Sequence, residues 1–237
     1  MWTYVVIAVA VVFVILLCVA LAIASFSFEN YTENLKKLDE FQNSYGISTL
    51  EYVENLNKTY FGNNLSIEKC EEFRDHYSSG KIALSENTMQ SNSLASLSIV
   101  SHELGHARQD FEGESLRKHW KLRRAGKILN FFFMPLMIVG IVFSLLNVFG
   151  VLENVAFLAA GLSCAGLALL IFAFSIFLKY KEIKIEKEAS VFAIEFLKEI
   201  LTTEELKLCR DFLNSARLTY WASLFRQLLS WTFLTKK

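Results

Sequence analysis

The sequence predicts a mainly α-helical membrane protein with an N-terminal anchor helix, a small α+β domain, a transmembrane helical hairpin and C-terminal helices. Three observations lead there. Of 237 residues, 53% are hydrophobic, and the mean hydropathy of +0.34 is too high for an ordinary soluble domain. The apolar excess is concentrated in three long runs. Between and after them the chain is polar, charged and patterned for amphipathic helices and short strands.

The first run, Trp2 to Phe26, is roughly 25 residues without a charge, enough to cross a hydrocarbon core about 30 Å thick. It is longer than the core of a signal peptide, has no basic segment ahead of it and lacks a small-x-small cleavage site. It is therefore expected to be a retained anchor, residues 1–27. The other two runs, Ile128 to Val148 and Asn154 to Leu178, are joined around Gly150 by a loop without Lys or Arg, and form the predicted hairpin, residues 128–178. Glu153 falls in that loop, so none of the three runs contains an ionisable group other than its cysteine thiols and Tyr4.

Basic residues set the expected orientation. A cluster from Arg117 to Lys127 precedes the hairpin, and Lys179, Lys181, Lys184 and Lys187 follow it, so both of its ends should be cytoplasmic. Lys36 and Lys37 after the anchor place the N-terminus outside. The cluster before Ile128 is no nucleic-acid patch: it has no interleaved stacking aromatics apart from Trp120, and the formal net charge of the chain is zero. Four scattered cysteines form neither a thiolate metal pattern nor a disulfide framework, which fits a reducing compartment.

Residues 28–127 make the first polar piece. Ser48-Thr49-Leu50-Glu51 has capping-box spacing and opens a helix to about Lys58, and Asn63-Asn64 turns the chain. Leu65 to Phe73 and Lys81 to Ser85 are expected as two strands separated by a polar turn at Ser78-Ser79-Gly80. The second is either an edge strand able to pair with an extended peptide or an ordinary sheet strand.

A helix is then expected from Ser91 to Asp110, and it carries His102-Glu103-Leu104-Gly105-His106. Residues four apart share a helix face, so both imidazoles can reach one metal ion, with Glu103 about 100° further round. Ala95, Ser98 and Gln109 project on the histidine face, whereas Leu97, Val100, Leu104 and Phe111 project on the other. Gly105 in mid-helix, about 1 kcal/mol less favourable than Ala, suits a face approached closely by a second element. This arrangement fits zinc, with Glu103 as the general base of metal-assisted peptide hydrolysis, better than it fits two core histidines.

A zinc hydrolase needs a third protein ligand, leaving a further position for water. Glu112 would serve only if a glycine broke the helix three residues after His106, and Gln109 stands there. The remaining histidines, His76 and His119, are weaker candidates. In residues 179–237 the third apolar run is expected to continue as helix through Ile200. Glu186 then projects among Ala189, Ser190, Ala193 and Leu197, whereas Glu188 projects with Lys184, Glu195 and Lys198 on a solvated face. A carboxylate on a buried face needs an ion partner or a metal, so Glu186 is the candidate third ligand, a salt bridge to a basic neighbour being the alternative. Glu182, one turn earlier, lies partly on the same face. Leu218 to Leu234, interrupted by Arg226-Gln227 and followed by Lys236-Lys237, is expected as an amphipathic helix on the membrane or packed on the domain.

The run Asp75-His76-Tyr77, Lys81-Ile82-Ala83-Leu84-Ser85, Ser93-Leu94-Ala95-Ser96 and Ser101 through Ala107 resembles the YugP-like zinc-dependent membrane peptidases. So does the order of anchor, metal helix, hairpin and Glu186-Lys187-Glu188-Ala189-Ser190, although members usually carry Phe-Asp where this chain has Lys187-Glu188. The resemblance extends from about Gly46 to Leu197. It implies a zincin-like catalytic domain holding Zn2+ through His102, His106 and Glu186, with Glu103 as base. The expected function is a membrane-embedded zinc endopeptidase, multi-pass in the cell membrane, acting on peptide or membrane-protein substrates at the cytoplasmic face. His76, Tyr77 and Arg108 are candidates to stabilise an oxyanion. The alternative is a catalytically inactive, zinc-stabilised scaffold, against which Glu103 counts because a structural site needs no base.

Overall fold

The computed structural model describes residues 2–72, 74–113, 115–151 and 154–229. Phe73, Glu153 and the end of the expected C-terminal helix with Lys236-Lys237 lie outside these residues, as does the side chain of His119. The elements in order are α1 (Trp2–Asp39), α2 (Thr49–Tyr60), β1 (Ser66–Lys69), β2 (His76–Ser78), β3 (Lys81–Leu84), α3 (Glu86–Gln90), α4 (Leu94–Glu112), α5 (Ser115–Val148), α6 (Val155–Leu197) and α7 (Thr203–Leu229). The chain divides into two compact units, one of Met1–Phe28, Lys121–Lys181 and Thr219–Lys237, the other of Glu29–Trp120 and Glu182–Leu218.

The first unit is helical. Two helical stretches among the described residues, Lys121–Val148 and α6, of which the part up to Lys181 belongs to this unit, are long and apolar enough to cross a membrane by length and composition. They meet at small residues, as close backbone approach requires. A Cβ on Gly140 would fall 2.7 Å from the backbone nitrogen of Ala165, and one on Gly161 would fall 2.9 Å from Ser144 Oγ. The buried hydroxyl of Ser175 donates to Asn130 Oδ1 at 2.6 Å, satisfying a polar pair inside an apolar seam.

The second unit packs helices around a three-stranded sheet of order β1-β3-β2. Strand β1 pairs with β3 in parallel, and β2 pairs with β3 antiparallel, with Tyr77 opposite Ile82. The expected strand from Leu65 shrinks to four residues, and β2 forms where none is expected. The turn between β2 and β3 holds Ser79 at φ 47° and Gly80 at φ 82°. Left-handed backbone at both central residues matches the twist of a tight hairpin, and glycine adopts it without steric cost.

The edge reading of Lys81 to Ser85 is overturned. Strand β3 is central, and both of its sides are occupied by neighbouring strands. Its backbone donors and acceptors are therefore committed within the sheet, and no peptide can add to it; the free edges belong to β1 and β2.

Helix α2 begins where its capping sequence predicts, with Ser48 accepting from the backbone N–H of Glu51 at 3.2 Å. Asn57 on its last turn clamps the following loop, donating to Leu65 O at 2.9 Å and accepting from Leu65 N–H at 3.0 Å. Helix α4 starts after Ser93, which accepts from Ser96 N–H. Its Leu97, Val100 and Leu104 are fully buried with Tyr52 and Val53 of α2 and Ile82 and Leu84 of β3. Phe111, expected on that buried side, is half exposed and meets Phe61 edge-on at 5.3 Å between ring centroids.

The opposite side of α4 meets the final turns of α6. A Cβ on Gly105 would lie 2.3 Å from the carbonyl oxygen of Ala189 and 2.9 Å from its carbonyl carbon, closer than atoms can come. Ala189 and Ala193 on α6 are fully buried. Gly105 is thus tolerated in mid-helix because the two backbones occupy the space a side chain would need. Helix α6 ends at Leu197, short of the expected Ile200, and α7 opens at Thr202-Thr203-Glu204-Glu205 with a capping box. Glu205 accepts from both the backbone N–H and the hydroxyl of Thr202, and also from those of Ser44 at 2.8 and 2.7 Å.

Two outcomes are expected. Gly105→Ala should gain up to about 1 kcal/mol from helix propensity but lose about 1–3 kcal/mol to overpacking. A lower melting temperature in detergent is the expected sign, and a higher one would refute the close approach. Burial opposes ionisation of Glu205, but the donors from Ser44 and Thr202 outweigh it and hold its pKa down at about 2, against an ordinary 4.5. A depressed carboxylate contributes stability that is present above its unfolded pKa and lost as pH falls through the folded one. Wild type should therefore melt above Glu205→Gln at pH 7, with the difference shrinking between pH 4.5 and pH 2.

Candidate metal centre

Helix geometry brings the imidazoles of His102 and His106 to one side of α4, with ring centroids 4.8 Å apart. The close crossing at Gly105 then brings Glu186 of α6 against them. Glu186 Oε2 lies 3.1 Å from His102 Nε2 and 3.3 Å from His106 Nε2. The three groups offer two nitrogens and one carboxylate oxygen within 4.8 Å of one another. His106 and Glu186 are buried, and His102 is half-buried. Among the described residues this is the only such cluster.

A second layer of hydrogen bonds decides which nitrogen of each ring faces the cluster. The amide nitrogen of Gln109 donates to Ile185 O at 2.9 Å and to Glu188 Oε2 at 2.8 Å. Its Oε1 lies 2.9 Å from His106 Nδ1. A carbonyl oxygen can only accept, so His106 carries its proton on Nδ1. The Ser190 hydroxyl donates to Glu186 O at 3.0 Å and sits 3.2 Å from His102 Nδ1. With its one proton directed to that carbonyl, it accepts from His102 Nδ1–H. Both Nε2 atoms then present lone pairs toward Glu186.

Two lone pairs and a carboxylate oxygen aimed at one point repel unless a proton or a cation lies among them. Burial lowers the pKa of His106, yet the adjoining Glu186, with Glu103 nearby, raises it to about 9. Burial likewise opposes ionisation of Glu186, but its hydrogen bonds to His102 and His106 hold it well below the ordinary carboxylate range. The cluster thus favours positive charge in its midst. Two imidazole nitrogens and one carboxylate oxygen are a donor set for catalytic zinc, which takes three protein ligands and keeps a coordination position for water or substrate.

Glu103 sits one residue from His102 and is half-buried. The backbone N–H of Tyr77 on β2 donates to its Oε2 at 2.7 Å, so a sheet edge fixes the orientation of this carboxylate. The other candidates are committed elsewhere. The Tyr77 hydroxyl donates to Asp110 Oδ2 at 2.8 Å and accepts from Gly80 N–H at 2.7 Å; burial and Asp110 raise its pKa. His76 is exposed, with Nδ1 2.7 Å from Arg74 O. Arg108 pairs with Glu112 and Glu195, each at 2.7 Å, and its guanidinium lies over the Phe192 ring. Glu112 is therefore engaged by Arg108 and is not among the clustered groups.

Glu182 is buried. Glu188 is exposed, as its helical projection predicts, yet it accepts from Gln109 and so belongs to the outer shell of the site. Gln109 itself shares the histidine face in projection, but its role depends on groups of α6 that no local pattern shows. Ser190 is likewise a small residue by sequence and a hydrogen-bond partner of His102 by structure.

This buried cluster could hold a metal ion, and its donor set, with a second carboxylate alongside, is of the kind used by metal-dependent hydrolases. Residues 5–235 match the family described as "Putative neutral zinc metallopeptidase". The chain belongs to that family, which bears out the resemblance seen in the sequence, and its cofactor is zinc. No curated protein and no solved structure matches it.

The outer shell generates a direct test. Gln109→Ala removes the acceptor that orients His106 and is expected to weaken zinc binding about 10- to 100-fold. Competition with a chromogenic chelator measures this, and a dissociation constant within about twofold of wild type would sink the assigned role.

Proposed function

We propose that this protein is a membrane-embedded zinc endopeptidase in which His102, His106 and Glu186 hold the metal and Glu103 is the general base. The observation that carries the proposal is the convergence of the two Nε2 atoms and Glu186 Oε2 beside a carboxylate held by Tyr77 N–H. When bound, zinc supplies a water acidified toward neutrality and polarises the scissile carbonyl. Glu103 accepts a proton from the attacking water and delivers it to the leaving amine nitrogen. With Oε2 anchored on Tyr77, the other oxygen is the one left to move that proton. Gln109 and Ser190 keep both imidazoles in the tautomer that binds metal, and burial of Glu186 keeps bulk water from competing at the third ligand.

Membrane embedding rests on the apolar helices. Ile128, Phe131, Leu162 and Leu170 are each more than half exposed on α5 and α6, as are Val14, Ile15 and Phe26 on α1. So many exposed large apolar side chains in a hairpin and an anchor suit contact with acyl chains. The basic residues flanking the hairpin support a cytoplasmic position for the site.

Two substitutions in full-length protein purified in detergent test the roles separately. Glu103→Gln is expected to keep zinc and lose cleavage of an unfolded test protein by at least about 100-fold, the lower end of what general acid–base catalysis supplies. Glu186→Ala is expected to lose zinc, read by elemental analysis after dialysis. Full zinc occupancy without cleavage by wild type would favour the inactive scaffold instead.

A further inference from the structure

Behind His102 a groove of about 480 Å³ runs between residues 187–198, the end of α6 and the turn that follows it, and residues 206–217 of α7, within the second unit. Its lining includes four cations, Lys187, Lys198, Arg210 and Arg217. Among the described residues none of the four has a carboxylate within salt-bridge distance. The acidic group in the lining, Glu195, is already held by Arg108 at 2.7 Å. This is a local excess of positive charge in a chain whose formal net charge is zero. Val191, Ile194 and Leu213 give the same groove an apolar lining, and Val191 is half exposed there. Ser190, which accepts from His102 Nδ1, is part of the wall.

We propose that this groove is a substrate exosite for a peptide segment carrying acidic and apolar side chains. The proposal rests on the peptidase reading and names the substrate class for it. Lys198 is eleven positions after Lys187 and just past the end of α6, with its N–H still bonded to Ile194 O, which gives about 16 Å at 1.5 Å per residue. That length accommodates roughly five residues of extended chain at about 3.3 Å each. A single lipid headgroup carries its charge within a few Å, whereas cations spread along such a length match several carboxylates on one chain. Alternating acidic and apolar side chains would place carboxylates on the rim and apolar groups on the floor. Holding a segment beside Ser190 keeps the rest of the substrate next to the metal ligands, raising its effective concentration there.

The test uses full-length Glu103→Gln protein in detergent, so that binding is read without turnover. A labelled peptide of alternating Glu and Leu is followed by fluorescence anisotropy beside its Lys-Leu counterpart. The acidic peptide should bind more tightly, weaken with added salt, and lose at least tenfold in affinity when Lys198→Glu and Arg210→Glu are introduced together. Both side chains are exposed, and unchanged melting temperature and zinc content would show that the fold is intact. In the otherwise wild-type enzyme, the same pair should raise KM for an acid-flanked peptide and leave a neutral one unaffected. Equal affinity for the two peptides, or no effect of the pair, overturns the proposal. So does binding of phosphatidylglycerol vesicles that the pair abolishes while peptide binding stays unchanged, because the groove would then be a lipid site. If the acidic peptide binds as expected but wild type cleaves nothing, the hydrolysis proposal falls and the groove's preference for acidic peptide stands.

Discussion

The contact between Gly105 and Ala189 is the constraint on which the site depends. A hydrogen in place of a side chain lets the backbones of α4 and α6 approach until no Cβ could be placed between them. At that separation a short glutamate reaches both imidazoles of the adjacent helix. With the helices held apart by one methyl group, the carboxylate would have to move with α6, and the distances of 3.1 and 3.3 Å to the two Nε2 atoms would lengthen together. The unfavourable propensity of a mid-helix glycine is offset by this packing, which also buries Ala189 and Ala193.

Electrostatics and hydrogen bonding act on the geometry that packing supplies. A buried carboxylate between two imidazoles is stable only with positive charge nearby, and the pKa of His106 rises to about 9 in response. Gln109 and Ser190 leave the protons of both rings on the far nitrogen, so the near ones are available to a metal. Gln109 also joins the two helices, because its donors end on Ile185 and Glu188. One amide thus orients the His106 ring and ties α4 to α6.

Much of this was legible in the sequence because it is periodic. Four-residue spacing announces the histidine pair, and projection of Glu186 among Ala189, Ser190 and Ala193 marks a carboxylate on a buried face. The capping box at Ser48 marks the start of α2. What was not legible depends on contacts between distant segments. Strand β2 is only three residues long, too short to show alternation, and it is a strand because β3 offers it a partner. Its presence makes β3 central and removes the edge position that a two-strand reading leaves to it. Glu188 is on the solvated face, as expected, yet its exposed carboxylate still reaches Gln109. Solvent exposure and a role at the site are compatible for a long side chain, and helical projection alone does not distinguish them.

The order in which the clustered residues are synthesised has a consequence of its own. Glu186 follows His102 by 84 positions in the chain, about 4 to 17 s of translation at about 5–20 residues per second. For that interval a growing polypeptide holds both imidazoles and Glu103 but not Glu186. The hairpin residues are made within the same interval. The three-residue cluster therefore cannot assemble until the apolar residues 128–178 have been synthesised.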